Sequence, residues 1–161
     1  MKLEATPIEG LYVLHRPVHQ DKRGQFTRLF AAEGLASAGR PTEAIHVNTS
    51  TSVEAGTLRG IHFQYPPYAE AKIVACMSGA IWDVGIDLRP DSSTRFQWYG
   101  KKLTPENGLS MVIPEGFGHA FITLEPNSTA VYVVSAIYAI EYESGIHYDD
   151  PALAIDWPMV P

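Results

Sequence analysis

An all-β sandwich or barrel is the fold class this sequence predicts, and two general features predict it. Short runs rich in Val, Ile and aromatic residues recur along the chain, and Gly, Pro, Asn and Asp punctuate them. A third observation is local: between Ala80 and Leu88, Trp82, Val84, Ile86 and Leu88 alternate with Ile81, Asp83, Gly85 and Asp87. That period of two gives one apolar and one mostly polar face, which a helix does not produce. Lys72 to Met77, Leu109 to Ile113 and Ala130 to Tyr138 read as further strands. Ser78-Gly79 predicts a tight hairpin between its flanking strands, and Pro114-Glu115-Gly116-Phe117-Gly118 predicts a turn. The one helix expected is short, near Ala31 to Ala38.

A chain of 161 residues suits one domain, 1–161, and can bury a core without a disulfide or metal staple. No internal repeat or linker-like tract divides it. No apolar run is long enough to cross a membrane, and Met1-Lys2-Leu3-Glu4-Ala5-Thr6-Pro7 lacks the order of a secretory signal, so a cytoplasmic protein with no membrane partner is expected. The single cysteine, Cys76, lies in an apolar run and reads as a small buried hydrophobe. The formal net charge of -6 argues against nucleic-acid binding, which needs a basic face. Lys22, Arg23, Arg28, Arg59 and Lys72 nevertheless fall in the first half, so a local basic pocket for a small anion such as a diphosphate is compatible with the composition.

Several residues are candidates for chemistry. His62, in Leu58-Arg59-Gly60-Ile61-His62-Phe63-Gln64, is either a hydrogen-bonded core histidine or a general base, since an imidazole can take and return a proton near neutral pH. Strand counting puts Gly60, His62 and Gln64 together and Arg59 opposite, so Arg59 shares a site with His62 only if Gly60 marks a bulge. Lys72 is either a solvated strand end or, turned inward, a cation for an enolate oxygen. Tyr132 is either a packed aromatic or a proton donor opposite a histidine. Tyr132, Val134, Ala136 and Tyr138 share a face if their strand is unbroken. His119 tests a metal reading, but His62 is followed by Phe63 and Gln64 where a second nearby histidine would be expected, which makes that reading weak. No glycine-rich phosphate loop, G-x-S-x-G elbow or paired-cysteine motif occurs, so phosphates would be held by side chains such as Arg23 and Arg59.

Taken in order, Asp21-Lys22-Arg23-Gly24-Gln25-Phe26, Asn48-Thr49-Ser50, Leu58-Arg59-Gly60-Ile61-His62-Phe63-Gln64-Tyr65-Pro66-Pro67 and Ala71-Lys72-Ile73-Val74 form the first half of a pattern. Gly79 to Arg89, Ile113 to Phe121, Glu143-Ser144-Gly145, Asp149-Asp150-Pro151 and Trp157-Pro158 complete it. The pattern resembles the dTDP-4-dehydrorhamnose 3,5-epimerase family over nearly the whole chain. The resemblance implies a cupin fold, a double-stranded β-helix or jelly-roll barrel with few short helices. It further implies a homodimer in which an N-terminal segment, about residues 1–30, is exchanged, and no metal or other cofactor. By motif position it implies His62 as the base, Tyr132 as the acid on the opposite face and Lys72 as the enolate stabiliser. Arg23 and Arg59 would contact the phosphates of a nucleotide-sugar substrate, Tyr138 would stack near the base, and Phe26, Asn48, His119 and Glu143 would fall at other substrate contacts.

The sequence departs from that pattern at three places. Arg28 stands where the family usually has a glutamate, His46 where it has a glutamine, and one extra residue separates Asn48 from His62. Arg28 and His46 are therefore expected to alter which sugar or phosphate group is accepted. The family commonly continues past Trp-Pro with a Lys-Asp pair whose aspartate orients the catalytic histidine, whereas this sequence ends at Pro161. Asp83, on the polar face of its strand, is the internal candidate to partner His62 instead. Epimerisation of a 4-keto-6-deoxy sugar at C3, C5 or both is the expected activity. The alternatives are a single-position epimerase, a metal-dependent cupin enzyme and a non-catalytic nucleotide-sugar binder.

Overall fold

The Val- and Ile-rich runs are extended in the computed structural model of the chain, which describes residues 1–36 and 43–161. Two antiparallel sheets face each other. One has six strands in the order β1 (Lys2–Ala5), β2 (Tyr12–His15), β10 (Leu109–Ile113), β7 (Lys72–Ser78), β12 (Ser128–Val134), β5 (His46–Ser52). The other has five, in the order β13 (Glu143–Gly145), β6 (Leu58–Gln64), β11 (Phe117–Thr123), β8 (Ile81–Asp87), β9 (Trp98–Leu103). This is the jelly-roll barrel of the cupin type. A two-stranded hairpin, β3 (Val18–Asp21) with β4 (Gly24–Thr27), joins neither sheet. The short helix α1 spans Ala32–Ala36; the rest of its expected range, Ser37 and Ala38, lies outside the described residues.

Ser78-Gly79 does not close a hairpin. Strand β7 pairs with β10 and β12, whereas β8 pairs with β11 and β9, so the chain crosses here from one sheet to the other. The crossing is tight: Gly79 has φ +68°, and a Cβ there would sit 2.3 Å from Ser128 Oγ. That hydroxyl in turn accepts from Ala80 N–H at 3.1 Å. A jelly roll sends consecutive strands to opposite sheets, which a local turn signal does not reveal.

The two faces of β8 are used in an unusual sense. Its apolar face, Trp82, Val84 and Ile86, points out of the barrel and is covered by the C-terminal segment through Leu153, Ile155 and Trp157. Its other face, with Ile81, Asp83 and Gly85, points inward, where Ile81 joins Leu11, Val13, Val74, Met111, Ile113 and Phe121 in the barrel core. Both faces are buried, so the alternation of sequence marks two different interiors and not an inside and an outside. On the opposite sheet Phe30 and Leu35 cover Leu14, Ile73, Val112 and Val133.

A buried polar corner ends β8. The Asp87 carboxylate accepts from Arg89 Nε at 2.9 Å and Nη2 at 2.7 Å, from Ser92 Oγ at 2.5 Å and from Thr94 Oγ1 at 2.7 Å. Burial alone would raise this carboxyl, but these donors, with the Arg89 backbone N–H, outweigh it and hold Asp87 well below the usual carboxylate range.

Candidate active site

The barrel interior changes character along its length. On β7, β12 and β5 the inward side chains form cross-strand rows, because register pairs Val134 with both Lys72 and His46, and Tyr132 with both Val74 and Asn48. Towards Cys76 and Ala130 the rows are apolar and filled; burial there pushes the Cys76 thiol up to about 11, which keeps it an inert hydrophobe. Towards Lys72 and His46 the rows are polar and border a cavity of about 410 Å³, within the range of small-ligand sites.

The facing wall comes from β6 and β11. His62 and Arg59 both line the cavity, and the bulge that this requires is present: register runs His119 to His62 but Phe121 to Arg59, with a shift between. Gly60 makes it possible. Its φ is +124°, and a Cβ there would meet Ala120 Cβ at 2.4 Å and His119 O at 2.6 Å, so no larger residue fits. Arg59 is steadied across the gap between sheets, with Nε 3.2 Å from Ser52 Oγ.

Tyr132, Asn48, His46 and Lys72 therefore line one wall, and Arg59, His62 and His119 the other. Tyr138 also lines the cavity but not as part of a continuous strand. Strand β12 stops at Val134, where Ser135 turns to bond Ala71 through its backbone N–H at 3.1 Å and its hydroxyl at 2.8 Å. Tyr138 enters from the following loop and donates its hydroxyl to Glu143 Oε2 at 2.5 Å, a bond that raises the phenol above its ordinary value. The other oxygen of Glu143 lies 3.3 Å from His62 Nδ1. Glu143, at the start of β13, thus joins the base candidate to the loop tyrosine.

Asp83 does not partner His62. Its Oδ1 lies 2.7 Å from His119 Nε2, and both side chains are buried. The reason is strand order: β8 neighbours β11, which carries His119, while β6 and its His62 lie one strand further away. The carboxylate near His62 is Glu143.

Three expected substrate contacts are absent from this chain's own cavity. Arg23 and Phe26 sit on the β3–β4 hairpin, with Arg23 paired to Asp21 at 2.7 Å and Phe26 64% exposed. Arg28, just after that hairpin, is exposed and does not border the cavity. Among the lining residues that the sequence did not mark as site candidates, the charged one is Glu70, whose Oε1 lies 3.0 Å from Lys72 Nζ, with side chains only 14% and 12% exposed. Its signal was the spacing of two in Glu70-Ala71-Lys72, which puts both side chains on one side of extended chain. Among the described residues no group of three or more His, Cys, Asp or Glu side chains is arranged to hold a metal ion. Among them, too, no helix is long and apolar enough to cross a membrane.

A family model described as dTDP-4-dehydrorhamnose 3,5-epimerase matches residues 5–161. The dTDP-4-dehydrorhamnose 3,5-epimerase of Sinorhizobium fredii is 38% identical over 160 residues, covering 99% of this chain and 82% of the relative. A dTDP-4-dehydrorhamnose 3-epimerase of Streptomyces niveus is also 38% identical, over 98% of this chain and 76% of that protein. The crystal structure of the Bacillus anthracis dTDP-4-dehydrorhamnose 3,5-epimerase, with TDP and PPi bound, superposes with a TM-score of 0.94 at 38% identity, covering 99% of this chain and 91% of that one.

Proposed function

Since the chain belongs to the dTDP-4-dehydrorhamnose 3,5-epimerase family, we propose that it epimerises a nucleotide-linked 4-keto-6-deoxy sugar at C3, C5 or both. The observation that carries this reading is that His62 and Tyr132 stand on opposite sheets and line one cavity, with Lys72 on the strand next to Tyr132 in the same sheet. A sugar ring held there is reached from both faces.

The chemistry follows from the ketone. A carbonyl at C4 delocalises charge onto its oxygen and so acidifies the C–H bonds at C3 and C5. Neutral His62 takes the proton from one face, and the C–H electron pair becomes the enolate, whose oxygen carries the charge. Lys72 offers that oxygen an ammonium donor; its contact with Glu70 occupies one N–H direction and leaves others for the substrate. Tyr132 returns a proton to the carbon from the opposite face, which inverts the centre. Imidazolium and phenolate then reset by exchange with water, so no electron carrier enters the balance. Arg59 is suited to the diphosphate by its planar fork, with Asn48, His46 and His119 as further contacts.

Two copies complete the site in this reading. An isolated hairpin is marginal in water unless it packs on something, and β3–β4 bears an exposed Phe26 beside Arg23. We propose a homodimer in which this part of the N-terminal segment reaches the partner's cavity and brings Arg23, Phe26 and Arg28 to it. We also propose that residues 1–161 act as a single domain and that the enzyme works in the cytoplasm, with its nucleotide-sugar substrate. A single-position epimerase is the second reading, favoured by the equal identity to the Streptomyces niveus 3-epimerase.

Product analysis separates the readings. The protein is incubated with dTDP-4-keto-6-deoxyglucose, the keto sugars are trapped by borohydride reduction, and the released sugars are identified. Inversion at both carbons is expected from a 3,5-epimerase and inversion at C3 alone from a 3-epimerase. Recovery of only uninverted sugars would overturn the proposal for this substrate.

A further inference from the structure

Gln64 is buried, with 6% of its surface exposed, and its amide is fully engaged by backbone from two loops. Its Nε2 donates to Tyr68 O at 2.9 Å and to Ile137 O at 3.2 Å, and its Oε1 accepts from Ala139 N–H at 2.7 Å. The last two bonds bracket Tyr138. They hold a loop whose own side chains give it little packing: Ile137 is 50% exposed and Tyr138 59%. The loop's other end is tied at Ser135 to Ala71, as described above.

We propose that Gln64 is a positioning residue that fixes Tyr138 over the cavity mouth for the nucleotide part of the substrate. The inference rests on the functional reading just given. Its position in the chain explains the economy: Gln64 is two residues beyond His62 on β6, and its Cα pairs with Glu143. One strand end therefore holds the base candidate and, through an amide, the loop that carries Tyr138 to the cavity. A histidine at position 64 could not reproduce this pattern, because an imidazole has two ring nitrogens for what are here two donated bonds and one accepted bond. Glu143 depends less on the clamp, since β13 is held to β6 by backbone pairing.

The test is a mutant cycle with Tyr138, read in KM and kcat for dTDP-4-keto-6-deoxyglucose and in the Kd of dTDP. Gln64→Met keeps the length and removes every hydrogen bond. It is expected to raise KM and the dTDP Kd about tenfold, while kcat falls no more than about threefold. In a Tyr138→Ala background the same change should alter KM less than about twofold, because the residue it positions is gone. Gln64→Asn keeps the amide but sets it one methylene short of its partners, so it should give intermediate values; it also serves if Gln64→Met does not fold. An unchanged KM in Gln64→Met, or an equal rise with and without Tyr138, overturns the proposal. Wild-type protein that binds dTDP but turns over no substrate would sink the epimerase reading alone, and the dTDP cycle would still decide the role of Gln64. Wild-type protein that does neither removes both.

Discussion

His62 and His119 are cross-strand partners on β6 and β11, each with a carboxylate at its ring, yet the two pairs sit in opposite environments. The His119 side chain is 9% exposed and Asp83 0%, with 2.7 Å between them; His62 is 57% exposed and Glu143 32%, with 3.3 Å between them. A buried carboxylate at hydrogen-bond distance accepts from the ring and fixes which nitrogen carries the proton. A looser, solvated carboxylate orients the ring and still lets its proton exchange with water. The comparison teaches that the two imidazoles are differently placed: His119 is a buried polar wall held by Asp83, and His62 is open to solvent and substrate, which suits the general-base role proposed for it.

The largest expected effect breaks the comparison on the His62 side. His62→Asn should lower epimerisation by about 10³-fold, the scale of a lost general base, while dTDP binding measured by calorimetry stays close to wild type. Near-normal turnover in this variant would move the base elsewhere. On the other side, Asp83→Ala orphans a buried ring N–H and should cost about 1–3 kcal/mol of stability in denaturant titrations, with epimerisation still measurable. A stable, inactive Asp83→Ala protein would instead make His119 a participant in proton transfer.

Asp87 provides a second buried carboxylate, one that lies outside the cavity. Because its donors depress its titration, it binds more protons unfolded than folded. Its contribution is fully present above the ordinary carboxylate range of about 4 and is lost as pH falls below it. Asp87→Asn should therefore reduce stability at neutral pH by about 1–3 kcal/mol and flatten the acid limb of stability against pH. A Tm profile with an unchanged acid limb would remove Asp87 as its source. The smallest effect sharpens the His62 pair. Glu143→Gln keeps the shape and removes the charge, so kcat should fall about tenfold with stability within about 0.5 kcal/mol of wild type.

The same two pairs show what sequence could and could not reveal. Strand type followed from composition and alternation, and the matched motifs brought His62, Lys72, Tyr132 and Arg59 forward together. The bulge at Gly60 was readable as a condition, because Arg59 and His62 cannot otherwise share a face. The partner of His62 was not readable. Alternation puts Asp83 on one face of β8, but which histidine it meets depends on strand order, a property of the whole barrel. The inward aim of β8's polar face escaped for a related reason, since covering its apolar face takes a segment some 70 residues later in the chain, at Leu153 to Trp157. The supposed hairpin at Ser78-Gly79 likewise carried correct turn chemistry and the wrong pairing. Glu70 was missed because it precedes β7 in a stretch with no strand pattern of its own.

Proton NMR of the wild-type protein with dTDP-4-keto-6-deoxyglucose in heavy water tests the central claim most directly, because it reports C–H cleavage whatever the product balance. Enzyme-dependent loss of the C3 signal, the C5 signal or both is the predicted result, and its disappearance in His62→Asn assigns the cleavage to this cavity. Retention of both signals by a protein that binds dTDP would contradict proton transfer as its function on this sugar.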